Sequence, residues 1–568
     1  MKVSKIIGER FRENPSDSNT ISYSLLIRGG YIKQMSSGIF SNYYPLVRIT
    51  KKIEAILCKY MDKLDGQEVK LPVVMPADLW KKSDRYYSIG EELVRFKDRN
   101  NTDMVLGMTH EEAAVHLVKD FGKNPNVYPF MIYQIQTKFR DEARPRAGLI
   151  RVKEFCMKDA YSFHLTEENL NEYYYKCLDV YNQIFDEVGL SDVICVESDS
   201  GMMGGKVSHE FMYLTDIGED TIAICSECDY KSNVETAPCN YVKNISSEKQ
   251  EKLVKISTPN LSSIDDLHNV LGCSERKICK AVVYSRTSSN KYIIIFIRGD
   301  MTVNETKLRN LLKEDIVPAN LDYSNDLTAG FIGPVGLDTD KFEIYYDKSL
   351  EYEQNLVCGA NSIDEHYIGF NINRDVNEVN FIDVAKINED CLCPKCNKNR
   401  IELKNGIEVG NIFQLGNKYT EKMDMTTTIG QNSFNPLMGC YGIGVGRLVA
   451  SICEEHHDEH GPIWPLSISP WDLQLCCLRS DINEVKEFAD NLYSELQSYD
   501  YDILYDDREI RAGQMFSDAD LLGMKIRIIV SPKTVEQNSV EILIREENTR
   551  LIVNRNNILE TLKELTNE

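Results

Sequence analysis

KFRDEARPRAGLIRVKEF, residues 138–155, decides how the rest of this chain is read. Arg140 and Glu142 alternate, so on an extended strand both side chains share one face. After a charged loop the chain returns through Arg151 and Phe155, four residues apart. An antiparallel pair of this kind presents two guanidinium forks, a carboxylate and an aromatic face. Forks match phosphate oxygens, a carboxylate matches an exocyclic amine, and a ring stacks on a planar base. An ordinary charged hairpin would use the same residues, so the segment alone leaves both readings open.

Outward from it, GCYGIGVGRLVAS (439–451) joins a glycine-rich strand to a helix opening at Arg447. Glycines let a backbone approach a ligand closely, and the arginine offers a second charged face to a polyphosphate. The spacing departs from GxGxxG and from the phosphate loop that ends in GK[ST].

The chain has 568 residues, 42% of them hydrophobic and 27% charged, which implies a globular protein of three or four domains. No apolar run approaches the ~20 residues of a membrane span, and the start, MKVSKIIGERFRENPSD, has no signal-peptide core. A cytoplasmic location and no membrane partner are therefore expected. The seventeen cysteines then read mostly as reduced thiols. A net charge of −23 argues against nucleic-acid binding in bulk. Basic residues nevertheless outnumber acidic ones in TKFRDEARPRAGLIRVKEFCMKD (137–159), which leaves room for a local polyanion site.

Four blocks follow from pattern: 1–224, 225–405, 406–468 and 469–568. In the first, EVKLPVVMP (68–76) reads as a strand and THEEAAVHLVKDF (109–121) as a helix that Thr109 could cap. Leu170, Tyr174, Cys177, Tyr181 and Ile184 share a helical face, the simplest reading of which is core. The second block opens with CSEC and closes with CPKC; YIIIFIRGD (292–300) is a buried strand, and the SSEK and TSSN patches are loops. Cys225, Cys228, Cys393 and Cys396 have the spacing of a structural zinc site, with reduced thiols as the alternative. In the last block LQLCCL, VKEFADNLYSELQSY, YDILYDD and RIIVSP alternate as strand, helix, strand and strand, a small α/β unit.

Taken together, residues 138–155 and 439–451 resemble motifs 2 and 3 of the class II aminoacyl-tRNA synthetases. GIFSNYYPLVRITKKIEAILCKYMDKLDGQEVKLPVVMP (38–76) resembles motif 1, the dimer-forming helix and strand, with Pro72 at its proline. MTHEEAAVHL, QTKFRDEARPRAGLIRVKEFCMKDAYSFH, IFQLGNKYT and GCYGIGVGRLVAS narrow the resemblance, over nearly the whole chain, to bacterial prolyl-tRNA synthetases. The resemblance implies an α+β multidomain protein: an antiparallel-sheet class II core, an inserted α/β editing domain and a C-terminal α/β anticodon-binding domain. It implies ATP-dependent ligation of proline to its tRNA through prolyl-adenylate, with Mg²⁺ and as a homodimer.

By the same resemblance Thr109 and Glu111 hold the proline ammonium, as a hydroxyl and a carboxylate can. Arg140 bridges the proline carboxylate and the ATP α-phosphate, Glu142 addresses adenine and Phe155 stacks beneath it. Arg151 and Arg447 grip the outer phosphates, and Gln414 touches ribose or phosphate. Phe163 and Cys440 wall the proline pocket or serve as core. Glu408 is a candidate magnesium ligand; His209 and Glu210 lie nearby without an assigned role.

A proline pocket cannot fully reject alanine, because a lost methylene is worth only about 1–3 kcal/mol. The inserted block resembles the domain that hydrolyses mischarged alanyl-tRNA, through ERKICKAVVY, RGDMTVNE, AGFIGPVG and HYIGFN. Lys280 would anchor the tRNA 3′ end, Gly330 and Pro334 shape a small pocket, and His366 position the substrate. In the last block YDDREIRAGQMFSDADLLGMKIRIIV resembles the shared anticodon-binding domain, with Arg508, Glu509 and Arg511 as contacts or as a solvated charge cluster. Competing readings are a threonine or serine ligase on the same scaffold, a paralogue that binds tRNA or nucleotide without charging, and a stand-alone deacylase.

Overall fold

Strand parity sorts the side chains of the catalytic sheet into two sets. Among the strands are β1 (Phe130–Phe139), β2 (Glu154–His164), β3 (Val207–Leu214), β4 (Glu402–Gly416) and β5 (Leu437–Gly444). β5 lies between β4 and β2, with β1 beyond β2 and β3 against β4, every pairing antiparallel. Successive side chains of a strand point to opposite faces. Met131, Tyr133, Ala160, Ile412, Tyr441 and Ile443 accordingly enter one buried cluster, and Phe130, Ile132, Tyr161, Phe163, Phe413 and Cys440 enter the other.

Helices cover the first face. α1 (Tyr44–Asp62) offers Leu46, Ile49, Ile53, Ile56 and Leu57 at helical spacing. α3 (Glu167–Glu187) is capped by the Thr166 hydroxyl, which accepts from Asn169 N, and buries Leu170, Tyr174, Cys177, Tyr181 and Ile184. α4 (Val445–Glu455) follows β5 and buries Leu448, Val449 and Ile452. Each such aliphatic side chain contributes about 1.5–3 kcal/mol by leaving water. On the other, cleft-side face the short α2 (Glu111–Val118), the segment around Trp80 and the turn holding Tyr419, Met423 and Met425 pack down.

The computed structural model describes residues 1–566 except 16–17, 200, 204, 206, 243–248, 288–290 and 322–326, and the backbone alone of Met202. The SSEK patch except Lys249, and the TSSN patch beyond Thr287, lie outside those residues. EVKLPVVMP is not one strand: Gly66–Glu68 pairs parallel with β1, and Val74–Pro76 pairs antiparallel with Asp103–Leu106. Pro72 lies between the two pieces and has no N–H to donate to a ladder.

Two compact units emerge, one of Met1–Cys195, Ser200–Gly218 and Gly406–Glu568, the other of Val196–Asp199 and Glu219–Asn405. The second begins before Cys225 because strand Asp220–Ile224 pairs with Lys231–Asn233, and Ser232 in turn bridges Glu197. Its main sheet centres on Tyr292–Arg298, whose Ile293, Ile295 and Ile297 face one cluster while Ile294 and Phe296 face another. The strand is buried on both sides, as its unbroken apolar run requires.

The C-terminal residues form a five-stranded sheet in which Ile503–Asp506, Leu473–Cys477 and Ile526–Val530 run parallel and Ser539–Ile544 and Thr549–Asn554 close antiparallel. They belong to the first unit for identifiable reasons. Trp464 stacks edge-on against Tyr31, whose hydroxyl donates to Leu522 O, and the N-terminal amine donates to Ile503 O. Among the described residues no helix is long and apolar enough to cross a membrane.

Candidate active site

The open face of the sheet gathers most of the residues singled out above, though not by the expected strand geometry. Arg140, Glu142 and Arg151 lie in the loop between β1 and β2. A tight turn, Glu142 N to Arg140 O at 2.7 Å, and left-handed backbone at Ala147 and Gly148 replace the continuous hairpin. Pro145 within the loop also cannot extend a ladder. The loop nevertheless joins the groups: Arg151 Nη2 donates to Glu142 Oε1 at 2.9 Å. Burial opposes ionisation of Glu142, but the hydrogen bond and charge of Arg151 together with backbone hydrogen bonds from Arg144 and Ala143 outweigh it, and its carboxyl stays below the usual range.

Arg140 is half-buried, with its guanidinium 5.2 Å from the centre of the Phe155 ring and Nε on Met108 O. Burial lowers its pKa; Glu408 and Glu111 act against that, and Arg447 adds to it. Arg140 and Arg447 therefore share one electrostatic site. Arg447 is fixed by three acceptors: Ile150 O of the loop at 2.9 Å, Glu408 O at 2.8 Å and Glu408 Oε2 at 3.1 Å. The other Glu408 oxygen accepts from Asn411 Nδ2 at 2.6 Å. Gly442 opens the floor beside them, since a Cβ there would lie 2.9 Å from Asn411 Oδ1.

At the other end stand Thr109 and Glu111. Thr109 does not cap α2: the N-cap is His110, without a side-chain bond, and the Thr109 hydroxyl faces the Glu111 oxygens at 2.7 and 2.6 Å. Glu111 has no exposed surface, and Cys440 Sγ lies 3.5 Å from its Oε1. Burial pushes the Cys440 thiol well above its ordinary range, so it stays protonated. Phe163, fully buried and stacked on Phe130 at 4.9 Å, lies in the same cluster. His110 N donates to Tyr161 OH, which donates to Asp159 Oδ2, and Lys138 holds Asp159 Oδ1 at 2.6 Å. That relay ties the clasp to the sheet beneath it.

Gln414 falls outside the cleft. Its neighbours Phe413 and Leu415 face the cleft side, so Gln414 shares the helix side with Ile412 and donates to Asn171 Oδ1 of α3 at 3.1 Å. His209 also belongs there, bonded through Nδ1 to Tyr174 OH of α3 at 2.7 Å. Sequence reading missed Glu112, Arg85, Asn411 and the Asp159–Tyr161 relay. Arg85 Nη1 donates to Glu111 Oε2 at 2.9 Å and to both Glu112 oxygens at 3.2 Å. The doubled acid of THEE was a local signal for Glu112, and Arg85 had none.

In the second unit the loop holding Gly330 and Pro334 meets His366. Gly330 takes φ +82, and Gly333 packs so closely on Gly359 that a Cβ would lie 1.7 Å from its carbonyl. Gly359 is paired with His366, and the Phe331 ring stands 5.4 Å from the imidazole. Thr258 Oγ1 bonds His366 Nδ1 at 2.6 Å, and burial lowers the pKa of the ring. Asn361, unmarked in sequence, locks the loop through Gly333 N, Gly333 O and Val335 O. Lys280, on strand Ile278–Arg286, turns its Nζ onto Gly299 O at 2.7 Å and is not bonded to the others.

Cys225, Cys228, Cys393 and Cys396 converge, with all four sulfurs within 4.8 Å of one another. Cys225–Cys396 and Cys228–Cys393 are 3.7 and 3.6 Å apart. A Zn–S bond of about 2.3 Å makes a tetrahedral edge of about 3.8 Å. The donor set thus fits zinc. A hydrogen bond from the Lys398 backbone leads the effects that bring the Cys396 thiol down to about 6.

Among the anticodon candidates Arg508 is spoken for, paired with Asp506 at 2.6 Å and Asp518 at 2.8 Å. Glu509 and Arg511 are exposed and line a cavity of about 870 Å³ with Arg12 and Arg479.

Residues 94–456 match the family "tRNA synthetase class II core domain (G, H, P, S and T)", and residues 472–565 match "Anticodon binding domain". The chain is 41% identical over 561 residues to the proline–tRNA ligase of Bacillus subtilis (strain 168), covering 97% of this chain and 98% of the relative. It is 39% identical over 574 residues to that of Caldicellulosiruptor saccharolyticus, covering 100% and 99%. Prolyl-tRNA synthetase of Cryptosporidium parvum, solved with halofuginone and AMPPNP, superposes with a TM-score of 0.57 at 10% identity, over 98% of this chain and 80% of that one. That likeness bears on the fold alone.

Proposed function

The chain belongs to the bacterial-type proline–tRNA ligase family, and from that premise we propose how its own residues divide the work. The reaction is ligation of proline to tRNA, with ATP as the energy source. The observation that carries the assignment is the Glu111 carboxylate, without exposed surface, beside the Thr109 hydroxyl and in the electrostatic field of Arg140. Glu111 and Glu112 are two buried carboxylates that share one cation, Arg85, so the cluster calls for a second. The secondary ammonium of proline supplies it, while Cys440 and Phe163 bound the ring.

Arg140, between that clasp and Arg447, takes the proline carboxylate and the α-phosphate together. A carboxylate oxygen attacks phosphorus, the α–β phosphoanhydride bond breaks, and pyrophosphate leaves with its electron pair. A ribose hydroxyl of the tRNA then displaces adenylate from the prolyl carbonyl. Positioning and charge neutralisation carry both steps. Phe155, Glu142 and Arg151 receive the adenine end, and Arg447 the outer phosphates. Glu408 fits a magnesium ion, because each of its oxygens retains a lone pair beyond its Asn411 and Arg447 bonds. The ion would neutralise phosphate charge there.

The test separates the two substrates. Thr109→Ala or Glu111→Gln should raise KM for proline about 100-fold with KM for ATP within about twofold, as loss of one charge-assisted contact implies. Equal effects on both would remove the clasp.

The second unit provides hydrolytic editing of alanyl-tRNA, with the Gly330–Pro334 loop and His366 forming the small pocket and Lys280 meeting the tRNA end. The contact between that loop and His366 supports it. Lys280→Ala should spare proline exchange and slow alanyl-tRNA deacylation; unchanged deacylation would refute it. The four cysteines hold structural Zn²⁺, which one equivalent of zinc in purified protein, lost with the cysteines, would establish. A homodimer through the motif 1 region and a cytoplasmic location complete the reading. Glu509 and Arg511, in an open cavity, remain the anticodon contacts, and Arg508 serves the fold.

A further inference from the structure

Arg85 is among the largest fully buried side chains of the protein, and the chemistry above leaves it without a task. It follows Asp84, whose backbone is left-handed at φ 65 and whose carboxylate holds Lys422, so the chain reverses and sends Arg85 inward. The guanidinium carbon lies 4.8 Å from the Trp80 ring and 5.6 Å from the Tyr419 ring. Nη1 alone serves three acceptors: Glu111 Oε2 at 2.9 Å and the two Glu112 oxygens at 3.2 Å. Ser83 Oγ donates to Glu112 Oε1 at 2.7 Å.

Two adjacent carboxylates with no exposed surface repel each other, and removal of their shared cation leaves a charge that neutralises or costs several kcal/mol. Well-packed apolar residues of the same volume would stabilise a fold as well or better. Stability alone therefore does not account for the cluster, whereas fixing one carboxylate oxygen does. Arg85 pins Glu111 on its Oε2 side, and Cys440 lies toward Oε1.

We propose that Arg85 is a positioning residue for the amino-acid site: its Nη1 fixes Glu111 Oε2 and balances Glu112, so that Oε1 faces the substrate ammonium. The proposal rests on the Thr109–Glu111 clasp. Glu112 lies against the same Nη1, so without Arg85 the two buried carboxylates would repel each other and displace Glu111 from that position.

The test is proline-dependent ATP–pyrophosphate exchange by the full chain carrying Arg85→Met, Arg85→Lys, Glu112→Gln, the double change Arg85→Met/Glu112→Gln, or Glu111→Gln as reference. Arg85→Met should raise KM for proline about 30-fold and leave KM for ATP within about twofold. Glu112→Gln in the Arg85→Met background should recover at least about fivefold of that loss, because it removes the unbalanced charge. A merely structural arginine would give equal effects on both substrates and no such recovery, and either result overturns the proposal. Should Arg85→Met fail to fold, Arg85→Lys decides. A proline KM raised about fivefold at unchanged ATP KM supports the role, because the charge stays and the fork is lost; no change in either refutes it. If Glu111→Gln leaves the proline KM unaltered, the clasp itself fails. If it raises that KM while the Arg85 variants do not, only the role of Arg85 fails.

Discussion

Two lysines on neighbouring strands of the catalytic sheet separate its two faces. Lys138, on the cleft side, is fully buried against Asp159 Oδ1 at 2.6 Å, within a relay that ends on the His110 backbone. Lys158, on the helix side, is equally buried but has a phenol, Tyr181, and a carbonyl, Tyr441 O, as partners. Burial pushes Lys158 down to about 7. The cleft face gives its charges opposite partners, Lys138 with Asp159, Arg85 with Glu111 and Glu112, and Arg447 with Glu408. On the helix face the hydrogen-bond partners of Lys158 are neutral, and burial favours its uncharged form. Substitutions on the first face should thus be read in kinetics, and those on the second in stability.

The largest effect should come from the cleft. Arg447→Ala removes the cation proposed to grip the outer phosphates, so kcat/KM for ATP should fall about 10³-fold while the thermal midpoint moves little. A fall of less than about tenfold would put Arg447 outside the reaction.

A smaller effect belongs to Lys158 and has a definite sign. With a folded-state pKa near 7 against an ordinary value of about 10.4, the unfolded chain binds more protons between those pH values. Stability therefore rises with pH from about 7 to about 10, and the penalty is complete below 7. Lys158→Met should stabilise the protein by about 1–3 kcal/mol at pH 6 and remove that rise from its own pH profile, so that its advantage over the wild type shrinks between about pH 7 and 10. Parallel profiles would show that Lys158 keeps its charge.

The smallest effect should be that of Gln414→Ala, within about twofold in both KM values, because its side chain lies on the helix side. A tenfold loss would return Gln414 to the cleft and contradict the parity assigned to β4.

Much of this was legible in the residues themselves. Motif 2 could be read because its charges sit in one contiguous run, and the core face of α3 because its spacing is helical. The alternation Ile412-Phe413-Gln414-Leu415 held the signal that Gln414 shares a face with Ile412, and resemblance overrode it. The loop geometry of Arg140 and Glu142 was hidden, since an R-x-E alternation looks the same in a strand and in a turn that Pro145 and left-handed Ala147 create. Arg85, Asn361 and Thr258 were out of reach: each acts through a tertiary contact with a distant segment, and a lone arginine, asparagine or threonine in a loop carries no pattern. Arg508, offered as an anticodon contact or part of a charge cluster, pairs with Asp506 two residues away and with Asp518 on the helix that follows.

In the proposed reading the Thr109–Glu111 end of the cleft takes an imino acid and the Arg140–Arg447 end takes ATP. ATP–pyrophosphate exchange measured with each of the twenty amino acids tests that most directly. Proline should drive exchange, alanine only weakly, and Glu111→Gln should weaken exchange with either. Exchange driven by threonine or serine in place of proline, or by no amino acid, would contradict it.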